Sequence, residues 1–143
     1  MEKIVKIGYL SIVFLIPLAI FVSMLINPMR RPHRNVRNYI LRQTPLGTSM
    51  DDVISFAGRR AGWRIPRVNR EHGFLHRGEP IPGWPVSALS GHSVIGEMSV
   101  RVYAERYHAW YKLFVPTGVT VFWGFDTEGN LIEVFVWKAH EMF

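Results

Sequence analysis

The chain has 143 residues and no cysteine, which excludes disulfide staples, a thiol nucleophile, Cys-ligated metal and an N-terminal lipid on Cys. Its 48% hydrophobic content is too high for a disordered chain, 13% of its residues are aromatic, and the length predicts one domain, or one domain plus an appendage. The net charge of +6 is unevenly placed. Residues 1–27 carry +1, residues 28–77 carry eleven Arg against Asp51, Asp52 and Glu71, and residues 78–143 carry four basic against seven acidic groups.

From Ile7 to Met29 no residue is charged, and the run is bounded by Lys6 and Arg30. About 20 apolar residues suffice to cross a bilayer, so residues 1–29 read as a transmembrane signal-anchor. Tyr9 suits the headgroup layer, and Pro17 is tolerated inside a bilayer span. The end of the run, Val22-Ser23-Met24-Leu25-Ile26-Asn27, lacks the small-residue site of a cleaved signal. Lys3 and Lys6 precede the span, and Arg30, Arg31, Arg34, Arg37 and Arg42 follow it. The positive-inside count therefore favours a cytoplasmic C-terminal domain.

Residues 30–43 form a basic juxtamembrane segment. Arg34 to Gln43 predicts a short helix, with Val36, Tyr39 and Ile40 on one stripe. Arg30, Arg31, Arg34 and Arg37 are candidates for anionic lipid headgroups, each worth about 1 kcal/mol near a charged surface; a solvated basic helix face is the plain alternative. Nucleic acid is not expected, because no nucleic-acid motif accompanies these charges.

Residues 44–143 read as an α+β domain: two short helices, counting the juxtamembrane one, on a roughly four-stranded antiparallel sheet. Thr44-Pro45-Leu46-Gly47 ends the first helix. Ser49 with Asp52 three places on resembles a capping box and opens a second helix that ends at Gly58, with Met50, Val53, Ile54 and Ala57 as its apolar stripe. Trp63 to Val68 predicts an edge strand, since Pro66 cannot donate to a ladder. Residues 77–91 are a Gly/Pro-rich loop. Ser99 to Tyr107, Val119 to Asp126 and Leu131 to Lys138 alternate as strands.

The turn Thr127-Glu128-Gly129-Asn130 sets a register. A four-residue loop pairs Asp126 with Leu131, Phe125 with Ile132, Trp123 with Val134 and Val121 with Val136, giving an apolar face. The other face pairs Gly124 with Glu133, Phe122 with Phe135 and Thr120 with Trp137. A three-residue loop would set Glu133 beside Trp123 on the core face, which is costly without a partner. Extending the alternation puts Val100, Val102 and Ala104 on the core face, and Arg101, Tyr103, Glu105 and Tyr107 on the second. Tyr103, Phe122, Phe135 and Trp137, fringed by Arg101 and Glu133, then form a candidate protein-binding surface of the aromatic-and-Arg kind. Cover by the long loop or the first helix is the competing expectation.

Nothing catalytic emerges. Glu71 precedes His72 and His76 rather than following the zincin order, and glycines at 73 and 78 argue against a helix there. His33, His92, His108 and His140 are scattered. Ser87, Ser90 and Ser93 near His92 lack a G-x-S-x-G elbow, and Asp51 and Asp52 suit a helix N-terminus. No metal, cofactor or enzymatic activity is expected.

The helix start Leu46-Gly47-Thr48-Ser49-Met50-Asp51-Asp52-Val53, followed by a meander ending Phe122-Trp123-Gly124-Phe125-Asp126…Gly129-Asn130-Leu131, resembles two families. These are the β-lactamase inhibitory proteins and the small outer-membrane assembly lipoproteins of the BamE/SmpA type. The likeness covers about residues 40–137. It implies a non-enzymatic module that grips another protein on the exported side of a membrane, against the positive-inside count. Here a transmembrane run stands where the lipoproteins carry their lipidated Cys. The resulting expectation is a membrane-anchored inhibitor, immunity-like or envelope-scaffold module; its alternative is a membrane-surface module that binds anionic lipid.

Overall fold

The computed structural model describes residues 15, 17–19, 21–22, 26–76, 92–108 and 116–140, so most of the apolar run 7–29 and the whole loop 77–91 lie outside the described residues. Residues 15, 17–19, 21–22 and 26 are helical and exposed. Among the described residues no helix is long and apolar enough to cross a membrane.

A short 3₁₀ turn, Pro28–Arg30, precedes helix α1, His33–Gln43. The predicted stripe holds, with Val36 and Ile40 fully buried. Thr44 stops the helix, its N–H and Oγ both donating to the Ile40 carbonyl at 2.8 and 3.1 Å. Helix α2, Met50–Gly58, begins as the capping pattern predicts. Ser49 Oγ accepts from the Asp52 N–H at 3.2 Å and donates to Asp52 Oδ2 at 2.7 Å, which satisfies one of the donors a helix start leaves open. Met50, Val53 and Ala57 turn inward.

The remaining elements are β1 (Arg64–Asn69), β2 (Phe74–Leu75), β3 (Val94–Ile95), β4 (Met98–His108), β5 (Pro116–Phe125) and β6 (Leu131–His140). The main sheet is antiparallel in the order β1-β4-β5-β6, and β2 and β3 make a separate pair. Strand β1 lies at the edge as Pro66 requires, and its register shifts between Arg64 and Arg67, around that proline. The two helices cover one face. Val100, Val102, Val119, Val121, Trp123, Phe125, Leu131, Val134 and Val136 meet Val36, Ile40, Met50, Val53 and Ala57 in one core. Trp123 is its largest member, fully buried, with Nε1 donating to Thr44 Oγ1 at 3.1 Å.

Between β5 and β6 the register from Val121–Val136 through Gly124–Glu133 is as the sequence predicts. Nearer the turn it corrects the expectation: Phe125, not Asp126, faces Leu131, and Ile132 is an extra residue. The cause is Asp126, whose carboxylate accepts from the N–H groups of Asn130 at 2.8 Å and Glu128 at 3.0 Å. Those bonds, the Asn130 N–H first, hold its pKa below the ordinary aspartate value. The loop therefore closes one residue tighter on the β6 side.

A second correction concerns β4. Tyr103 faces Thr120, but Glu105 faces Val119, so Ala104 is a bulge residue. A bulge moves every later side chain to the other face. Glu105 and Tyr107 thus turn toward the helices instead of joining the second face, and Arg106 takes the place expected of them.

The free edge of β6 is occupied. His33 Nδ1 donates to the Val136 carbonyl at 3.3 Å and Arg37 Nε to the Val134 carbonyl at 2.9 Å. Residues four apart on α1 thus meet carbonyls two apart on the strand, which closes an edge otherwise open to strand addition.

Candidate interaction surface

On the face away from the helices, strand pairing lays side chains out in rows. The first is Asn69, Ser99, Gly124 and Glu133; the second is Arg67, Arg101, Phe122 and Phe135; the third is Arg64, Tyr103, Thr120 and Trp137. Beyond the bulge, Arg106 faces Gly118. Arginine thus gathers on the β1–β4 side and aromatic rings on the β5–β6 side.

The β2–β3 pair covers part of this face. Phe74 is buried and lies 5.4 Å from the Phe122 ring and 6.3 Å from the Phe135 ring, while the His76 ring meets Phe135 edge-on at 4.5 Å. Two glycines let the pair sit this close, Gly124 beneath it and Gly73 just before β2. A Cβ on Gly124 would lie 3.0 Å from Phe74 Cε1, and one on Gly73 would collide with the carbonyl oxygens of Ile95 and Gly96. Of the candidate residues, then, Phe122 and Phe135 belong to a small satellite core, each half-buried.

Tyr103 lies outside that cap, and Arg101 and Trp137 stand at its margin, sharing a depression with Phe74 and Leu75. Tyr103 is 38% exposed. The Arg101 guanidinium sits over the Tyr103 ring at 4.9 Å and over Phe122 at 5.5 Å, within the range of favourable cation–π contact. Two open depressions flank it. One, of about 450 Å³, runs by Arg64, Tyr103, Arg106 and Thr120; the other, of about 250 Å³, runs by Arg67, Phe74 and Phe122; Arg101 and Trp137 line both. Glu133, expected as the fringe of this surface, is drawn to the β6 edge, where Arg37 Nη2 meets its Oε1 at 2.5 Å.

The arginines at positions 30, 31, 34 and 37 divide in the same way. Arg37 is paired with Glu133, and Arg30 Nε lies 3.1 Å from Glu105 Oε1, while Arg34 is exposed and Arg31 half-buried. The turn before α1 is fastened to the sheet. Lys138 Nζ donates to the Met29 carbonyl at 2.7 Å and to the Arg31 carbonyl at 2.6 Å, and stands 5.6 Å from the Tyr107 ring centre, as does the Arg30 guanidinium. The bulge that turned Glu105 and Tyr107 inward supplies this cluster.

Burial pushes the Lys138 amine down to about 8, against the opposing pull of the Glu105 carboxylate. Its native pKa lies below its unfolded value of 10.5, so between those values the unfolded chain binds the extra proton and stability rises with pH. The wild type should therefore gain stability relative to Lys138→Met as pH is raised through this window. Urea unfolding of both chains across the window checks it, and a falling difference would contradict it.

Arg64, Arg67 and Arg106 were not singled out from the sequence. The signal was present, for Arg67 stands opposite Arg101, but it needed the β1–β4 register, which no turn motif sets. Among the described residues no three His, Asp or Glu side chains are grouped to hold a metal ion. Compared with protein-family models, with curated proteins and with solved structures, the chain finds no match.

Proposed function

We propose that this chain is a single-pass, membrane-anchored, non-enzymatic module that binds another protein through the Tyr103, Arg101 and Trp137 part of its second sheet face. The carrying observation is the division of that face. The β2–β3 pair caps Phe122 and Phe135, whereas Tyr103 keeps 38% exposure beneath a stacked arginine. Aromatic and Arg side chains around a shallow depression are the usual anchors of protein interfaces. The resemblance of the helix-start and hairpin motifs to exported protein-gripping modules supports the same reading.

The anchor is supported by the described part of the apolar run, where Leu15, Leu18, Phe21 and Ile26 are helical and each more than half exposed. Apolar surface in water costs about 25 cal/mol per Å², and hydrocarbon relieves that cost. The lipid-headgroup alternative would rest chiefly on the exposed Arg34, because Glu105 and Glu133 already engage Arg30 and Arg37.

A photoreactive residue tests the proposal: Tyr103→p-benzoylphenylalanine, irradiated in the membranes of the producing cells, should yield a discrete protein adduct. Adding Trp137→Ala should reduce its yield. A yield no higher than that from the same residue at Ser55, exposed on α2, would refute the surface.

A further inference from the structure

We infer that the segment this surface takes is acidic: a carboxylate-bearing stretch of the partner lies along the trough between Arg64, Arg67, Arg101 and Tyr103. The inference rests on the protein-binding reading above and adds the chemistry of the ligand.

Strand pairing sets Arg67 directly opposite Arg101. Like charges directly opposed on one sheet face are destabilising, and nearby carboxylates would normally relieve them. Among the described residues the nearby acids are spent elsewhere. Glu133 is held by Arg37 at the β6 edge, and the bulge carries Glu105 through the sheet to Arg30. Among the described residues, no carboxylate pairs with Arg64, Arg67 or Arg101. The two depressions are lined between them by these three arginines; Glu105 also borders the larger one, but its carboxylate is engaged by Arg30, so the trough carries a positive charge that calls for an anion.

Arg101 is the centre of this trough. Its guanidinium plane is fixed against two rings, and its Nε is buried without a hydrogen-bond acceptor. An incoming acceptor must therefore meet its remaining N–H groups. A planar guanidinium held by stacking presents those groups as a fork, the geometry that takes a carboxylate with two parallel hydrogen bonds.

A single-stranded nucleic acid is the other anion to weigh. It binds open sheets by stacking bases on free aromatic faces. On this sheet Phe74 lies against Phe122 and Phe135, and Arg101 takes one face of Tyr103. An acidic peptide needs no stacking and fits what is left.

The test uses the full chain in detergent and fluorescence anisotropy of labelled deca-glutamate, deca-serine and an oligothymidylate of ten nucleotides. Deca-glutamate should bind and deca-serine should not. Arg101→Gln should weaken deca-glutamate at least about tenfold, as loss of a charged hydrogen-bond pair does. Arg67→Gln should act in the same direction, and it keeps the inference testable if Arg101→Gln fails to fold. Arg59→Gln removes one charge from the exposed end of α2 and should leave binding unchanged. Equal losses from Arg59→Gln and Arg101→Gln would reduce the effect to net charge and overturn the inference. Tighter binding of the oligothymidylate than of deca-glutamate would overturn it in favour of nucleic acid.

Competition with the position-103 adduct separates this inference from the reading it rests on. An adduct suppressed by deca-glutamate but not by deca-serine supports both. An adduct that deca-glutamate leaves intact overturns the acidic ligand while the protein-binding surface stands. Deca-glutamate binding without any adduct refutes the protein partner, and absence of both refutes both.

Discussion

Trp123→Ala should destabilise the domain by about 3–5 kcal/mol, the range for truncating a fully buried large aromatic. Trp123 has no exposed surface, packs 6.4 Å from the Trp63 ring, and lies under both helices. Its Nε1 also donates to Thr44 Oγ1 in a buried bond, and Thr44 in turn donates to the Ile40 carbonyl. The indole therefore ties the end of α1 to the centre of the sheet, and its loss removes both packing and that tie. Thr44→Val separates the two effects. It keeps the shape but orphans the indole N–H, and should cost about 1–2 kcal/mol. Urea midpoints of the full chain in mild detergent give both numbers. A Trp123→Ala loss below that of Thr44→Val would mean that the core is centred elsewhere.

Gly73→Ala should be worth about 2–4 kcal/mol, because the new Cβ would collide with the backbone oxygens of Ile95 and Gly96, neither of which is a movable side-chain end. The effect should be local. The β2–β3 pair would lift, withdrawing Phe74 from Phe122 and Phe135, while the helix face of the sheet, packed by Val121, Trp123 and Val134, should be unaffected. Amide exchange should accelerate at residues 74–76 and 93–95 and leave the β5–β6 ladder protected. Uniform acceleration across the sheet would show instead that the small pair is integral to the main core.

What the sequence disclosed follows from the range of its signals. The two helices were legible because capping at Ser49 and the stripes through Val36, Ile40, Met50, Val53 and Ala57 are local patterns. The β5–β6 register was legible because a short turn joins those strands and a misplaced Glu133 would be costly. Two bulges escaped notice, at Ala104 and at Ile132. Neither carries a glycine or proline: the first is fixed by partners distant in sequence, Arg30 and Lys138, which receive what it turns inward, and the second by the Asp126 side chain, a local bond that alternation of apolar residues does not reveal.

The surface was legible by type more than by membership. Period-two alternation showed that Tyr103, Phe122, Phe135, Trp137 and Arg101 share a face, since that requires only adjacent strands. That Phe74 would cover two of them depends on β2 pairing with β3 across the loop 77–91, and no local pattern announces two strands of two residues each. The arginines of β1 escaped for a related reason. Pro66 marked an edge strand but also broke its alternation, so the side on which Arg64 and Arg67 stand became visible only with the shifted β1–β4 pairing.

The division of the second face is tested most directly by a pair of photo-adduct yields from the full chain in native membranes, with the photoreactive residue placed at Tyr103 or at Phe122. Position 103 should capture a protein, and position 122, beneath Phe74, should not. Capture from position 122 with none from position 103 would contradict the account, placing the partner on the half of the sheet that the β2–β3 pair covers.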